Sequence, residues 1–151
     1  MDYKEYLVEC GKKMLHSGLT VETWGNISVR NPENGLYYLT PSGMPYDIIR
    51  TEDIVVMNRD MEIVEGTCKP TIEYGMHIGI MNAREDVNAV IHTHPVDSQV
   101  FACLHEDIPP VIDCLLYTST KNYGNRHVAK GSMPVLLRKI KRLTLFNKWA
   151  C

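Results

Sequence analysis

Val90-Ile91-His92-Thr93-His94-Pro95 reads as the last turn of an apolar strand that ends on two imidazoles. Side chains alternate faces along a strand, so His92 and His94 are expected on one face, at the carboxyl end of a buried strand. Imidazole nitrogen is a common ligand for zinc and similar divalent ions, but two ligands do not complete a zinc shell. Upstream, Pro70-Thr71 precedes a helical stretch over 72–84 whose apolar stripe includes Ile72, Met76, Ile80 and Met81. Glu73 is expected just inside the amino end of that helix, where the helix dipole favours a carboxylate. His77 follows four residues later on the same helix face. A carboxylate beside two histidines offers a metal ligand or a general base. A first-turn charge at Glu73 and a structural, hydrogen-bonding His77 are the plainer readings of the same two residues.

Further upstream lie two short polar loops, Gly25-Asn26-Ile27-Ser28 and Thr40-Pro41-Ser42-Gly43. Glycine turns expose backbone N–H groups, and Asn, Ser and Thr add short donors, so such loops can cradle a phosphate without a nucleotide motif. Around them the pattern predicts a helix over 2–18 stopped by Gly18, and Trp24–Arg30 as a tight turn that runs into a strand. A turn at Asn31–Gly35 leads into a second strand over 36–40. A short helical turn at 51–53, strands over 54–58 and 62–65, a strand over 89–93 and a helix over 97–104 complete the pass. Strands, hairpins and helices in this order indicate a mixed α/β domain.

The chain has 151 residues, enough to bury a real core, and no apolar run long enough for a membrane span. Its amino terminus is charged and amphipathic without a signal-peptide core, so a cytoplasmic location is expected. Five cysteines (Cys10, Cys68, Cys103, Cys114 and Cys151) without CxxC spacing fit scattered reduced thiols rather than a disulfide framework or zinc knuckle. The net charge of −2 hides a break. All 18 acidic residues lie at or before Asp113, beside 8 Lys and Arg, whereas residues 114–151 carry 8 Lys and Arg and no acid.

Taken together, Gly25-Asn26-Ile27-Ser28-Val29-Arg30, Leu39-Thr40-Pro41-Ser42-Gly43, Lys69-Pro70-Thr71-Ile72-Glu73 with Met76-His77, and Val90-Ile91-His92-Thr93-His94-Pro95 resemble the class II aldolase/adducin family over residues 1 to about 113. The resemblance implies a three-layer α/β fold, a central, mostly antiparallel sheet flanked by helices, here truncated. It implies a divalent metal, zinc or another, held by His92, His94 and Glu73, with Glu73 also the catalytic acid/base. Gly25, Asn26, Ser42, Gly43 and Thr71 would surround a substrate phosphate. The implied reaction is retro-aldol cleavage of a phosphorylated ketose or sugar acid, in a homotetramer with active sites between subunits. Relatives that act as pentulose-phosphate 4-epimerases tend to carry Asp where this chain has Glu73, which favours the aldolase. A non-catalytic, adducin-like interaction module has no need of His92, His94 and Glu73 together.

Three departures accompany the resemblance. Ile72 stands where a second small hydroxyl residue usually follows in the phosphate loop. Asp113 falls where fuculose-phosphate aldolases place a proton-donating tyrosine. A third metal histidine has no counterpart, since His127 sits in an unrelated context, so this chain is expected to be an incomplete, inactive form with weak or absent metal binding and poor solubility. The resemblance stops where the charge changes sign. Cys114-Leu115-Leu116-Tyr117-Thr118-Ser119 is what one frame of a common transposase adapter (TGT CTC TTA TAC ACA TCT) encodes. Residues 114–151 are therefore expected to be an unrelated basic tail arising from sequencing or assembly. The competing reading is an amphipathic segment, Leu136–Leu143, suited to an anionic membrane or nucleic acid. Nothing else in the chain is basic, so neither a nucleic-acid nor a membrane partner is expected.

Overall fold

The computed structural model describes residues 2–107. Asp113, His127 and the whole segment from Cys114 to Cys151 lie outside the described residues. The element order is α1 (Tyr3–His16), β1 (Asn26–Arg30), β2 (Tyr37–Leu39), a 3₁₀ turn (Thr51–Asp53), β3 (Val55–Met57), β4 (Ile63–Glu65), α2 (Tyr74–Ala83), β5 (Ala89–His92) and α3 (Val96–Cys103). The strands form one sheet in the order β4-β3-β2-β1-β5, and every pairing is antiparallel.

Alternation along the strands sorts their side chains into two cores. Ile27 and Val29 of β1 face α1, with Leu7, Met14, Tyr46, Ile49 and Ile54. Tyr37, Leu39, Val55, Met57 and Val90 face the other way, onto Ile78, Ile80 and Met81 of α2. The sheet is thus covered by α1 on one face and α2 on the other, the three-layer arrangement expected for the family.

Local sequence accounts for the ends. Asp2 caps α1, its carboxylate accepting from the amides of Lys4 at 2.9 Å and Glu5 at 3.2 Å. Gly18 at φ +71° turns the chain out of α1 and sends the Leu19 amide back to Met14 O. Within α1, a Cβ on Gly11 would lie 2.4 Å from the Tyr46 ring, so the bare glycine lets that ring pack on the helix. Tyr46 in turn donates its hydroxyl to Gly25 O at 3.0 Å, tying the α1 layer to the start of β1.

Three expectations are corrected. The helix expected over 72–84 starts at Tyr74, with Glu73 as its N-cap residue rather than in its first turn. Ile72 therefore belongs to the preceding loop; it is 86% exposed, and the buried stripe of α2 is His77, Ile78, Ile80 and Met81. β5 is an edge strand among the described residues and ends at His92. His94 lies beyond it, so strand alternation is not what pairs the two histidines.

Candidate metal and phosphate site

Three chain segments converge at one end of the sheet. Residue 26 opens β1 directly opposite His92, the last residue of β5. A Cβ on Gly25 would sit 2.6 Å from the His92 carbonyl oxygen, and Gly25 has φ +73°. Only glycine allows the chain to enter β1 this close to β5. The third segment is held by a bridge between Pro41 and Pro70. Its hydrogen bonds run from the Ser42 amide to Lys69 O (2.9 Å) and from the Thr71 amide to Thr40 O (3.1 Å). That bridge brings Ser42-Gly43 beside Thr71 at the start of α2.

The result is a cavity of about 340 Å³ lined by Thr23, Trp24, Gly25, Asn26, Pro41, Ser42, Gly43, Thr71, Ile72, Glu73, His92 and His94. The eight residues that the family resemblance assigns to metal and phosphate, Gly25, Asn26, Ser42, Gly43, Thr71, Glu73, His92 and His94, all line it. The Glu73 carboxylate accepts from Asn26 Nδ2 at 3.1 Å, and the same oxygen, Oε2, meets His92 Nδ1. The His92 and His94 rings are 4.5 Å apart between centroids. His94 is brought back toward β5 by its own backbone, whose amide donates to Leu19 O at 2.9 Å. Its ring also meets the edge of Trp24 at 5.6 Å.

His77 does not reach the cavity. It is fully buried, and its Nδ1 lies 2.6 Å from Ser28 Oγ, while its Nε2 has no hydrogen-bond partner. Burial pushes its pKa down from 6.5 to about 4; the negative charge of Glu73 works against that shift and His92 adds to it. His77 is therefore a neutral imidazole at pH 7. Ser28, grouped in the sequence with the loop donors, is likewise fully buried and turned to His77. Thr40 is buried too, its hydroxyl accepting the Ile27 amide at 3.2 Å.

Trp24 and Ile72 line the cavity as apolar walls, 51% and 86% exposed. The role of Trp24 escaped sequence reading, although its position immediately before Gly25 was a usable signal. The donor types at the site, two imidazoles and a carboxylate, are those that bind zinc and related ions. Among the described residues, no three His, Cys, Asp or Glu side chains are placed to hold a metal ion together. The donor chemistry of the set fits part of a metal shell, which His92, His94 and Glu73 would form only by drawing closer together than they stand here.

Comparison with known proteins identifies the family. The family model for the class II aldolase and adducin N-terminal domain matches residues 5–137, and the chain belongs to that family. A 5-deoxy-D-ribulose 1-phosphate aldolase from Bacillus thuringiensis serovar kurstaki is 44% identical over 108 residues, covering 72% of this chain and 51% of the relative. An L-ribulose-5-phosphate 4-epimerase, UlaF, from Salmonella paratyphi B is 29% identical over 106 residues, covering 70% of this chain and 46% of that enzyme. Among solved structures, an L-fuculose 1-phosphate aldolase superposes with a TM-score of 0.67 at 41% identity, covering 70% of this chain and 50% of that one. The chain thus spans about half the length of the relatives it matches.

Proposed function

We propose that this chain carries the metal-and-phosphate half of an aldolase active site, one that cleaves a phosphorylated ketose by retro-aldol chemistry. The observation that carries the reading is the convergence of His92, His94, Glu73 and the five loop residues on one cavity. His92, His94 and Glu73 would hold a divalent ion, zinc or another, with the remaining donor outside the described residues. When bound, such an ion polarises substrate oxygens and offsets the negative charge that develops as a C–C bond breaks.

The chain's own residues do the rest. Gly25 and Gly43 leave backbone N–H groups uncovered, and Asn26, Ser42 and Thr71 add side-chain donors, which together orient a substrate phosphate. Glu73, half-buried at the cavity floor, moves the proton at the reacting carbon. Its Oε2 is steered by Asn26 Nδ2 and His92 Nδ1. Trp24 walls the cavity beside His94, and a ketose 1-phosphate with a deoxygenated terminus, the kind named for the Bacillus relative, is the substrate class to try first.

The enzyme is read as cytoplasmic and homotetrameric. Residues 1–113 are read as its amino-terminal part and 114–151 as unrelated. The charge break supports that boundary, whereas the family match running on to residue 137 does not. Sequencing the genomic locus across codon 114 decides between them.

The test is metal content by elemental analysis on wild type and a His92→Ala, His94→Ala double variant, followed by incubation with a ketose 1-phosphate. Metal held by wild type and lost in the double variant supports the reading, with dihydroxyacetone phosphate release expected of the full-length gene product that supplies the missing half. Equal metal in both proteins overturns it. The epimerase reading draws on the 29% identical relative. With L-ribulose 5-phosphate as substrate, it predicts an epimer and no aldehyde fragment.

A further inference from the structure

β1 and α2 run side by side, and their polar contacts recur in step. Asn26 Nδ2 reaches Glu73 Oε2 at 3.1 Å, Ser28 Oγ lies 2.6 Å from His77 Nδ1, and Arg30 Nη1 donates to Met81 O at 2.9 Å. On the strand the spacing is two residues, roughly 6.6 Å at a strand's rise. On the helix it is four residues, about 6 Å at a helix's rise. The two spacings nearly match, so every second residue of β1 meets every fourth residue from Glu73 onward. The lower end is pinned further, with Arg30 also donating to Glu85 O at 2.7 Å and to Asn88 Oδ1 at 2.8 Å.

Packing alone does not account for the middle rung. Ser28 and His77 are both fully buried in a layer otherwise filled by Ile78, Ile80, Met81 and Val90. His77 leaves Nε2 without a partner there, a cost that a phenylalanine or leucine would not carry. What the pair provides is register. It fixes how far the amino end of α2 sits along β1, and the N-cap residue there, Glu73, is the one that meets His92.

We propose that Ser28 and His77 are positioning residues for Glu73, forming the middle rung of a β1–α2 ladder that sets its carboxylate against His92. The proposal rests on the reading of Glu73 and His92 as site residues. It assigns no contact with substrate or metal to Ser28 or His77.

Three single variants separate positioning from filling. His77→Asn keeps a polar atom where Nδ1 faces Ser28, His77→Phe keeps the ring volume without it, and Ser28→Ala removes the other partner. The full chain is studied free of metal by imidazole ¹⁵N–¹H NMR, following the His92 ring N–H held by Glu73. Co²⁺ is then titrated and its absorption bands followed, with thermal midpoints measured alongside.

His77→Phe and Ser28→Ala are expected to lose the His92 signal and to weaken Co²⁺ binding by roughly 10–100-fold, the range for outer-shell partners of metal sites. His77→Asn is expected to retain both, whatever the order of thermal midpoints. Folded His77→Phe and Ser28→Ala proteins with an unchanged His92 signal overturn the proposal. So does an Asn variant that fails as fully as Phe. Should His77→Phe not fold, Ser28→Ala decides alone. A wild type that takes up no Co²⁺ counts against the metal reading, and the NMR comparison then judges the ladder.

Discussion

Acidification should weaken this fold through His77, by an amount the structure sets. The imidazole is fully buried, and burial lowers its pKa from 6.5 to about 4. The unfolded chain binds a proton near pH 6.5, whereas the folded chain resists one until about pH 4. Between those values the unfolded state holds more protons, so stability falls as pH falls. The contribution is fully present above pH 6.5 and lost progressively toward pH 4. At 1.36 kcal/mol per pKa unit, the loss is about 1.4 kcal/mol at pH 5.5 and about 2.5 kcal/mol at pH 4.5, approaching about 3.4 kcal/mol well below the folded value.

Other groups titrate over the same range, so the assay compares two proteins. Urea unfolding of wild type and His77→Asn, in chelator at pH 7.5, 5.5 and 4.5, gives the difference directly, because the shared groups cancel to first order. The variant is expected to be less stable than wild type at pH 7.5, having lost ring packing. The gap should close or reverse by about 2.5 kcal/mol by pH 4.5. A gap that stays constant from pH 7.5 to 4.5 refutes the reasoning, since it means the ring is not held neutral by burial.

Gly25→Ala places a methyl 2.6 Å from the His92 carbonyl at a φ of +73°, and should cost about 1–3 kcal/mol by thermal unfolding. Ile78 is fully buried between α2 and the sheet, and Ile78→Ala should cost about 2–5 kcal/mol in the same assay. Ile72→Ser places a hydroxyl at an 86% exposed position of the proposed phosphate loop. One added hydrogen bond should tighten inorganic phosphate, followed by NMR titration, by about 3- to 10-fold and leave stability nearly unchanged.

The fold was legible where a single period dominated. Alternation in Ile27-Ser28-Val29 and in Tyr37-Tyr38-Leu39 sorts side chains to two faces, and the structure puts one set under α1 and the other under α2. The turn at Asn31–Gly35 joins β1 to β2 as turn chemistry requires. The errors fell at boundaries, where two rules compete. Ile72 fits the apolar period of the helix that follows it, but the bridge from Pro41 to Pro70 and the Thr71 amide bond to Thr40 O hold its loop against the neighbouring turn. The helix consequently starts two residues late and Ile72 faces solvent.

The site shows a different kind of legibility. His92, His94 and Glu73 were readable as candidates because metal chemistry restricts residue type, and the loops because a phosphate site would restrict side-chain size. Type alone could not show how the residues come together. His94 reaches His92 not through strand alternation, as the sequence suggested, but through a backbone bond from 94 to Leu19, whose partner lies 75 positions away. Ser28 illustrates the reverse case. Its neighbours mark it as a loop donor, yet its parity in β1 is that of Asn26, and parity decides which layer a buried strand residue meets. Once α2 is known to cover that face, Ser28 must meet whatever α2 presents one turn beyond Glu73, and that residue is His77. The periods of strand and helix, taken together rather than one at a time, contain the ladder. What the sequence lacked was only the statement that β1 and α2 are neighbours.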